Sequence, residues 1–337
     1  MPFLLGKTAI ASPINNYQLS IKLDTDYRQA FTFVPEKRQR IEIPVARLPT
    51  QTLLSLPVTV IHGREAGAIL WLSAAIHGDE LNGVEIVRQV VGHIRPENLS
   101  GTLITVPIVN IFGFLQQSRY LPDRRDLNRC FPGSPKGSLA SRLAHLFMEE
   151  IVNRSTHGID LHTASDGRTN LPQIRANLEH EETYRFAREF GAPVMMHSNT
   201  RDGSLREAAG QKGIPVLLYE AGEALRFDRN AIRIGVEGVF RVMAALEMLS
   251  PIAIDPVSES VEVHSSKWVR ASRSGILRLS IALGEKVEKW QAIGTIFDAF
   301  GEKTVSVRAN LTGLVIGYAQ NPLVNQGDAI VHIAMLR

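Results

Sequence analysis

Trp71-Leu-Ser-Ala-Ala-Ile-His-Gly-Asp-Glu80 is the stretch that decides the fold, because a run of small and apolar residues ends there in a polar turn. The run up to His77 predicts a buried strand, and Gly78 predicts a turn. Apolar spacing over residues 81–91 predicts the helix that follows. An α/β sheet usually places its ligand site where such strands end. His77 and Glu80 are therefore candidate site residues.

A third candidate ligand lies further along the chain. Gly158-Ile-Asp-Leu-His-Thr163 is predicted to be another buried strand, and His162 stands at its end as His77 does at the first. Two histidines and a carboxylate form a common set of ligands in zinc sites that activate water. Strand alternation puts Asp160 on the same face as His162, where it either orients a ligand or caps the sheet edge.

Glu220 follows a fourth predicted strand, Val216-Leu-Leu-Tyr219. A carboxylate at that strand end could act as general base toward a water molecule on the metal. It could instead cap the next helix, but Asp228 is better placed for that role.

A basic loop, residues 118–133, carries four arginines without helical or strand periodicity. Guanidinium groups bind carboxylates or phosphates through paired hydrogen bonds, and loops on an α/β scaffold often carry the site. The alternative is a solvated loop, first of all for Arg124. The other three arginines are Arg119, Arg125 and Arg129.

The overall composition excludes several classes of protein. The net charge of +3, from 37 basic and 34 acidic residues, is too balanced to indicate a nucleic-acid partner. Cys130 is the single cysteine, so neither an intrachain disulfide nor a cysteine zinc site is expected. There is no apolar run of membrane-spanning length and no signal-peptide pattern, so we expect a cytoplasmic protein with no membrane partner.

Four other histidines are expected to lie away from the site. His62 is predicted to be a surface hairpin residue, and Ile111-Phe-Gly-Phe-Leu115 a loop. His145 is expected to be a surface or half-buried helix residue, and His180 and His197 are expected to lie at the surface.

A linker-like stretch at residues 250–260 separates two patterns. The part before it, residues 1–250, is predicted to be the catalytic domain, with a strand extension over about the first 50 residues. The part after it, residues 251–337, contains short strands with regular turns and is predicted to be a small all-β domain.

Four motifs of the catalytic part resemble the succinylglutamate desuccinylase/aspartoacylase family, which belongs to the zinc carboxypeptidase-like hydrolases. The resemblance covers roughly residues 50 to 250 and implies an α/β fold with a zinc carboxypeptidase-like mixed sheet flanked by helices. The motifs, in chain order, are His77-Gly-Asp-Glu80, Asp126-Leu-Asn-Arg129, Asp160-Leu-His162 and Tyr219-Glu-Ala-Gly222.

The resemblance also implies roles for individual residues. It implies one zinc ion per chain, bound by His77, Glu80 and His162, with Glu220 as general base and acid. An arginine ahead of the second motif polarises the scissile carbonyl group in this family. Arg119 is similar to that residue, and Arg125 is its rival because the spacing is longer here. The residues similar to the family's substrate-carboxylate binders are Asn128, Arg129 and Arg206.

The predicted function is zinc-dependent hydrolysis of the amide bond of an N-acyl amino acid, such as an N-acetyl or N-succinyl amino acid. Two alternatives stay open, a metallocarboxypeptidase acting on peptides and a non-catalytic binding or scaffold protein.

The C-terminal part resembles the barrel-like β-domain that many bacterial members carry, which is similar to biotinyl and lipoyl modules. Lys303 lies near the position of a modified lysine, but its turn lacks the modification signature. A structural or assembly role is therefore predicted for this part, and a homo-oligomer is compatible with it.

Overall fold

The computed structural model describes residues 25–199, 202–250 and 259–336. Within those ranges the chain forms a large mixed sheet covered by helices and a second, four-stranded antiparallel sheet near the C-terminus. The predicted α/β class, with a mixed sheet and a small C-terminal β part, is confirmed.

Seventeen strands occur in the described ranges. They are β1 (Arg38–Arg47), β2 (Leu53–His62), β3 (Glu65–Ala74), β4 (Ser100–Val106), β5 (His157–His162), β6 (Arg168–Ala176), β7 (Val194–His197), β8 (Val216–Gly222), β9 (Val261–Val263), β10 (Ser266–Arg270), β11 (Gly275–Leu279), β12 (Lys286–Val287), β13 (Ala292–Phe297), β14 (Thr304–Arg308), β15 (Gly313–Ala319), β16 (Leu323–Val324) and β17 (Ala329–Met335).

Six α-helices accompany these strands in the same ranges, together with short 3₁₀ turns. The helices are α1 (Asn82–His93), α2 (Ile111–Gln116), α3 (Leu139–Glu150), α4 (Glu181–Phe190), α5 (Leu205–Gly210) and α6 (Arg229–Ala245).

The main path of the large, 13-stranded sheet has the order β1-β2-β4-β3-β5-β8-β6-β15-β17-β10, while β12 pairs with β15, and β7 pairs with β6 and β9. Its centre, β4-β3-β5-β8, is parallel, and the strands on both sides of this centre pair in antiparallel fashion. Because the carboxyl ends of parallel strands meet at one edge of a sheet, the residues that follow β3, β5 and β8 are brought together there.

Two apolar cores cover the two faces of the sheet. Leu70 and Leu72 of β3 pack into the core under α1, α4 and α6. Trp71, between them, points to the opposite face and packs into the core that contains Phe147 of α3. This alternation is the period-2 pattern of a central strand that is buried on both faces.

The C-terminal strands extend the large sheet. β15 pairs with β6 in antiparallel register, with Gly317 opposite Asn170. The short strands predicted for the C-terminal part are present after residue 261, and three of them, β10, β15 and β17, lie on the main path of the large sheet. The division into two domains near residue 250 stays a prediction. The pairing brings β10 and β17 to the side of the sheet where β6 and β8 lie.

Two local expectations from the sequence differ from the structure. Residues 111–116 form a helix, not a loop, and the Asn110 side chain caps it by accepting from the Gly113 amide. The surface placement of His62 is wrong, since it is 1% exposed and its ring bonds Thr102 Oγ1 and the Ala30 carbonyl. The 3₁₀ turn of residues 25–31, which contains Ala30, packs over β1 and supplies this second partner.

Part of the predicted organisation concerns residues outside the ranges that the structure describes. The predicted strands before residue 25 and residues 251–258 of the predicted linker lie outside the described ranges. Inside those ranges, no helix has both the length and the apolar character needed to cross a membrane.

Substitutions at two glycines, Gly158 in β5 and Gly92 in α1, test the packing of the central strands. Gly158 of β5 lies opposite Trp71 in register, and a Cβ atom there would overlap the indole ring. Trp71 is fully buried, so Gly158→Ala should lower the free energy of unfolding by about 1–3 kcal/mol or more. Gly92 of α1 has open space around its Cβ position, so Gly92→Ala should raise stability by about 0.5–1 kcal/mol. Urea unfolding midpoints measure both changes, and equal stability of the two variants would contradict this packing.

Candidate active site

Three candidate residues meet at the carboxyl edge of the parallel strands. His77 follows β3, His162 ends β5, and Glu220 of β8 lies opposite His162 in the β5–β8 register. Glu80 comes from the turn that begins at His77, and the amide of Glu80 donates to the carbonyl of His77. The structure therefore places these candidate residues at one edge of the sheet.

The carboxylate of Glu80 bridges the two histidines. Glu80 Oε1 lies 2.7 Å from His77 Nδ1, and Oε2 lies 2.8 Å from His162 Nδ1. The Thr163 amide also donates to Oε2 at 3.1 Å. All three side chains are buried, with at most 4% of each exposed. Each imidazole therefore turns the same nitrogen, Nδ1, toward one point.

Two further carboxylates contact the opposite ring nitrogens, Nε2, and orient the two rings. His77 Nε2 lies 3.0 Å from Asp126 Oδ1, and His162 Nε2 lies 2.7 Å from Asp160 Oδ2. Asp160 also accepts from the Ser73 hydroxyl, which favours the orienting role over the sheet-edge cap. A carboxylate on Nε2 fixes the proton there and leaves the Nδ1 lone pair for a ligand.

The charges of this cluster favour a cation. Burial raises the pKa of a carboxyl group, but His77 and His162 hold the pKa of Glu80 well below its usual range. Burial lowers the pKa of an imidazole, yet Glu80 with Asp126 raises the pKa of His77, and Asp160 with Glu80 raises that of His162. The buried carboxylates thus stabilise positive charge between them.

The donor set fits a metal ion. One ligand atom from each of His77, Glu80 and His162 lies within 4.8 Å of the others. Two imidazole nitrogens and a carboxylate oxygen suit zinc, with a fourth position left for water or substrate. The hydrogen bonds to Asp126 and Asp160 supply the outer contacts that metal-binding histidines usually make.

Arg119 is the arginine of the basic loop that reaches the metal-ligand cluster. Its guanidinium donates to Asp126 Oδ2 at 2.9 Å and to Glu80 Oε1 at 3.3 Å. Burial lowers its pKa, but Asp126 and Glu80 raise it overall, so the group is charged. Arg125 does not contact these residues. Its side chain is 60% exposed and lies 3.8 Å from Asp123.

Glu220 is held by two neighbours on β6. Asn170 Nδ2 donates to Glu220 Oε2 at 2.8 Å, and Arg175 Nη2 lies 3.0 Å from the same oxygen. Within the described ranges, no hydrogen bond or ion pair involves Oε1. Asp228 caps α6 by accepting from the amides of Asn230 and Ala231, as expected, so Glu220 does not serve as a cap.

A cavity of about 750 Å³ opens over these groups. Asn128 and Arg129 of the second motif line it, and Asn128 Oδ1 also accepts from the Leu205 amide. Arg206 lines it too and is anchored on the Ser198 carbonyl at 2.9 Å. Arg125 does not line the cavity, whereas Arg119 does.

Several residues that line the cavity were not found from the sequence. The surface placement of His197 is wrong, since it lines the cavity and stacks on His264 at 5.6 Å. β6 was missed altogether because Pro172 interrupts its pattern. The other missed residues are Arg168, Asn170, Arg175, Trp268 and His332.

The catalytic-domain model of the succinylglutamate desuccinylase/aspartoacylase family matches residues 66–246, more than half of the chain. Similar proteins carry related names. The N-alpha-acetyl-L-2,4-diaminobutyric acid deacetylase of Halomonas elongata is 28% identical over 83% of this chain and 85% of its own length. The succinylglutamate desuccinylase of Photorhabdus laumondii is 32% identical over 51% of this chain and 58% of its own length.

The fold is also similar to solved structures. The succinylglutamatedesuccinylase/aspartoacylase from Rhodobacter sphaeroides superposes with a TM-score of 0.79 at 24% identity, covering 89% of this chain and 96% of that one. At that identity the likeness bears on the fold alone. The match of the family model over residues 66–246, with the two similar proteins, shows that this chain belongs to the succinylglutamate desuccinylase/aspartoacylase family and is a hydrolase that deacylates N-acyl amino acids.

Proposed function

We propose that the chain is a zinc-dependent amidohydrolase that cleaves the amide bond of an N-acetyl or N-succinyl amino acid. The observation that carries this proposal is the pairing of Glu220 with His162 across β5 and β8, beside the cluster of His77, Glu80 and His162. The names of the two relatives support acetyl and succinyl groups as the acyl part.

The metal would be held by His77, Glu80 and His162. Zinc at this position supplies Lewis-acid polarisation of the amide carbonyl group and lowers the pKa of a water molecule. Asp126 and Asp160 keep the Nδ1 atoms of the two rings available for it.

Glu220 is the proposed proton carrier. Its Oε1 takes a proton from the attacking water while Asn170 and Arg175 hold Oε2 in place. The oxygen of the water bonds to the carbonyl carbon, and the carbon–nitrogen bond then breaks. Glu220 passes the proton to the leaving nitrogen, so the products are a carboxylate and a free amino acid.

The polar side chains of the cavity have two separate proposed roles. Arg119, charged and anchored by Asp126, stabilises the negative oxygen that develops on the carbonyl group. Asn128, Arg129 and Arg206 bind the carboxylate of the amino acid and so align the amide with Glu220. N-acetyl and N-succinyl amino acids both have the amide carbonyl group and the amino-acid carboxylate that these residues would bind.

The general-base role predicts a separation of metal binding from turnover. Glu220→Gln keeps the shape of the side chain but cannot accept the proton, so kcat should fall by about 10²- to 10⁴-fold while bound zinc is unchanged. Amine release from N-acetyl and N-succinyl amino acids, together with metal analysis, measures both quantities. Glu223→Gln is the matched control, since Glu223 pairs with Arg226 and does not line the cavity. Full activity of the Glu220 variant would remove this residue from the mechanism.

The choice between Arg119 and Arg125 predicts unequal effects. Arg119→Met removes the donor beside the metal ligands and should lower kcat by about 10²- to 10³-fold. Arg125→Met should change kcat by less than about twofold, because the side chain is exposed and lies outside the cavity. Zinc content checks that the Arg119 variant keeps its metal. The reverse ranking of the two variants would transfer the role to Arg125.

A further inference from the structure

Arg168, Trp268 and His332 pack together in the wall of the cavity on the side of the C-terminal strands. The guanidinium carbon of Arg168, at the start of β6, lies 5.1 Å from the ring centroid of Trp268. The indole stacks in turn on His332, with centroids 4.5 Å apart and planes 7° from parallel. Trp268 of β10 and His332 of β17 are opposite each other in register, so strand pairing itself builds the stack.

Arg168 differs from the other arginines that line the cavity. Its guanidinium makes no hydrogen bond or ion pair with any residue in the described ranges, and its contact is with the indole face. The other four each contact an acceptor of the chain. They are Arg119 on Asp126, Arg129 on the Asn128 carbonyl, Arg175 on Glu220 and Arg206 on the Ser198 carbonyl.

His332 supports the stack without adding charge. Burial, together with the nearby Arg175 and Arg168, lowers the pKa of His332 to about 3, so the ring is neutral near neutral pH. Its Nε2 bonds the Ser266 hydroxyl at 2.8 Å, which fixes the ring plane. Because the His332 ring is neutral, it adds no positive charge beside the indole that would oppose the contact with the Arg168 guanidinium.

The excess of positive charge along the cavity is large enough to bind more than one anionic group of a substrate. The described residues that line it include five arginines and two acidic residues, Glu80 and Glu220. Both acidic residues already contact cationic or metal-binding groups of the chain. One substrate carboxylate accounts for Arg129 and Arg206 in the proposed function, and Arg168 is left without a counter-charge.

The spacing of residues along β6 sets the distance between Arg168 and the proposed base, Glu220. It lies two residues before Asn170 on the same face of β6, about 7 Å along the strand. Asn170 bonds Glu220, the proposed base. A group bound by Arg168 therefore lies several bonds away from the amide that Glu220 serves.

We propose that Arg168, held against Trp268, is a specificity-determining residue that binds a second carboxylate of the substrate. That carboxylate belongs either to a dicarboxylic acyl group or to the side chain of an acidic amino acid. This assignment rests on the proposed function. It makes N-acyl amino acids with a cationic side chain, such as N-acetyl-2,4-diaminobutyrate, poor substrates, since no uncommitted acidic side chain lines the described part of the cavity.

Matched pairs of substrates test the assignment and show whether the second carboxylate belongs to the acyl group or to the amino-acid side chain. N-Acetyl-glutamate against N-acetyl-glutamine varies the side-chain carboxylate, and N-succinyl-alanine against N-succinamoyl-alanine varies the acyl carboxylate. The zinc-loaded enzyme should prefer the carboxylate member of one pair by about 10- to 100-fold in kcat/KM. Arg168→Gln should reduce that preference to about one, mainly through KM, with little change for the amide member.

Further variants separate recognition from folding. Trp268→Leu keeps the charge of Arg168 but removes its platform, so the preference should fall, while Trp268→Phe should retain most of it. Arg278→Gln, an exposed arginine of β11, is the matched control and should leave the preference unchanged. Calorimetric binding of glutamate against glutamine, and of succinate against succinamate, gives a readout that does not need turnover.

Each outcome has a defined meaning. The same carboxylate preference in wild type and Arg168→Gln, or no preference in the wild type for either pair, would overturn the assignment. Carboxylate-selective binding that Arg168→Gln abolishes, in a protein that hydrolyses none of the substrates, would support the site and overturn only the proposed function. Rapid hydrolysis of N-acetyl-2,4-diaminobutyrate, with no gain for acidic substrates, would also contradict the role of Arg168.

Discussion

The carboxylate of Glu80, shared between His77 and His162, is the interaction on which the rest of the site depends. A buried carboxylate is costly unless it is paired, and here both oxygens contact imidazole nitrogens. The geometry turns the two Nδ1 atoms toward one point, and Asp126 and Asp160 hold the rings from the other side. Ligands, orienting groups and the charge that favours a cation all follow from this arrangement.

The sheet brings this cluster together with the groups that act on the substrate. Parallel β3, β5 and β8 place the ligands and Glu220 at one edge. Antiparallel β6 then supplies Asn170 and Arg175 to Glu220, and its pairing with β15 leads the C-terminal strands to the cavity. The β-segment that the sequence separates from the catalytic part thus contributes Trp268 and His332 to the cavity wall. This placement gives that segment a proposed role in substrate selection.

The sequence predicted the centre of the site better than its walls. His77, Glu80, His162 and Glu220 each follow or end an apolar strand, a pattern that strand ends in a parallel sheet make predictable. β6 was missed because Pro172 lies within a register irregularity between Asn170 and Gln173, where the strand does not alternate. Cross-strand contacts such as Trp268 on His332 depend on register, and the apolar pattern of the separate segments does not specify it.

Zinc content is the most direct test of the central claim. Purified wild-type protein and His162→Ala would be supplied with zinc, dialysed and analysed by inductively coupled plasma mass spectrometry. About one zinc per chain in the wild type, and a strongly reduced content in the variant, is the predicted result, because the variant loses one of three protein ligands. A wild-type protein without zinc, or equal zinc in both proteins, would contradict a metal site at His77, Glu80 and His162.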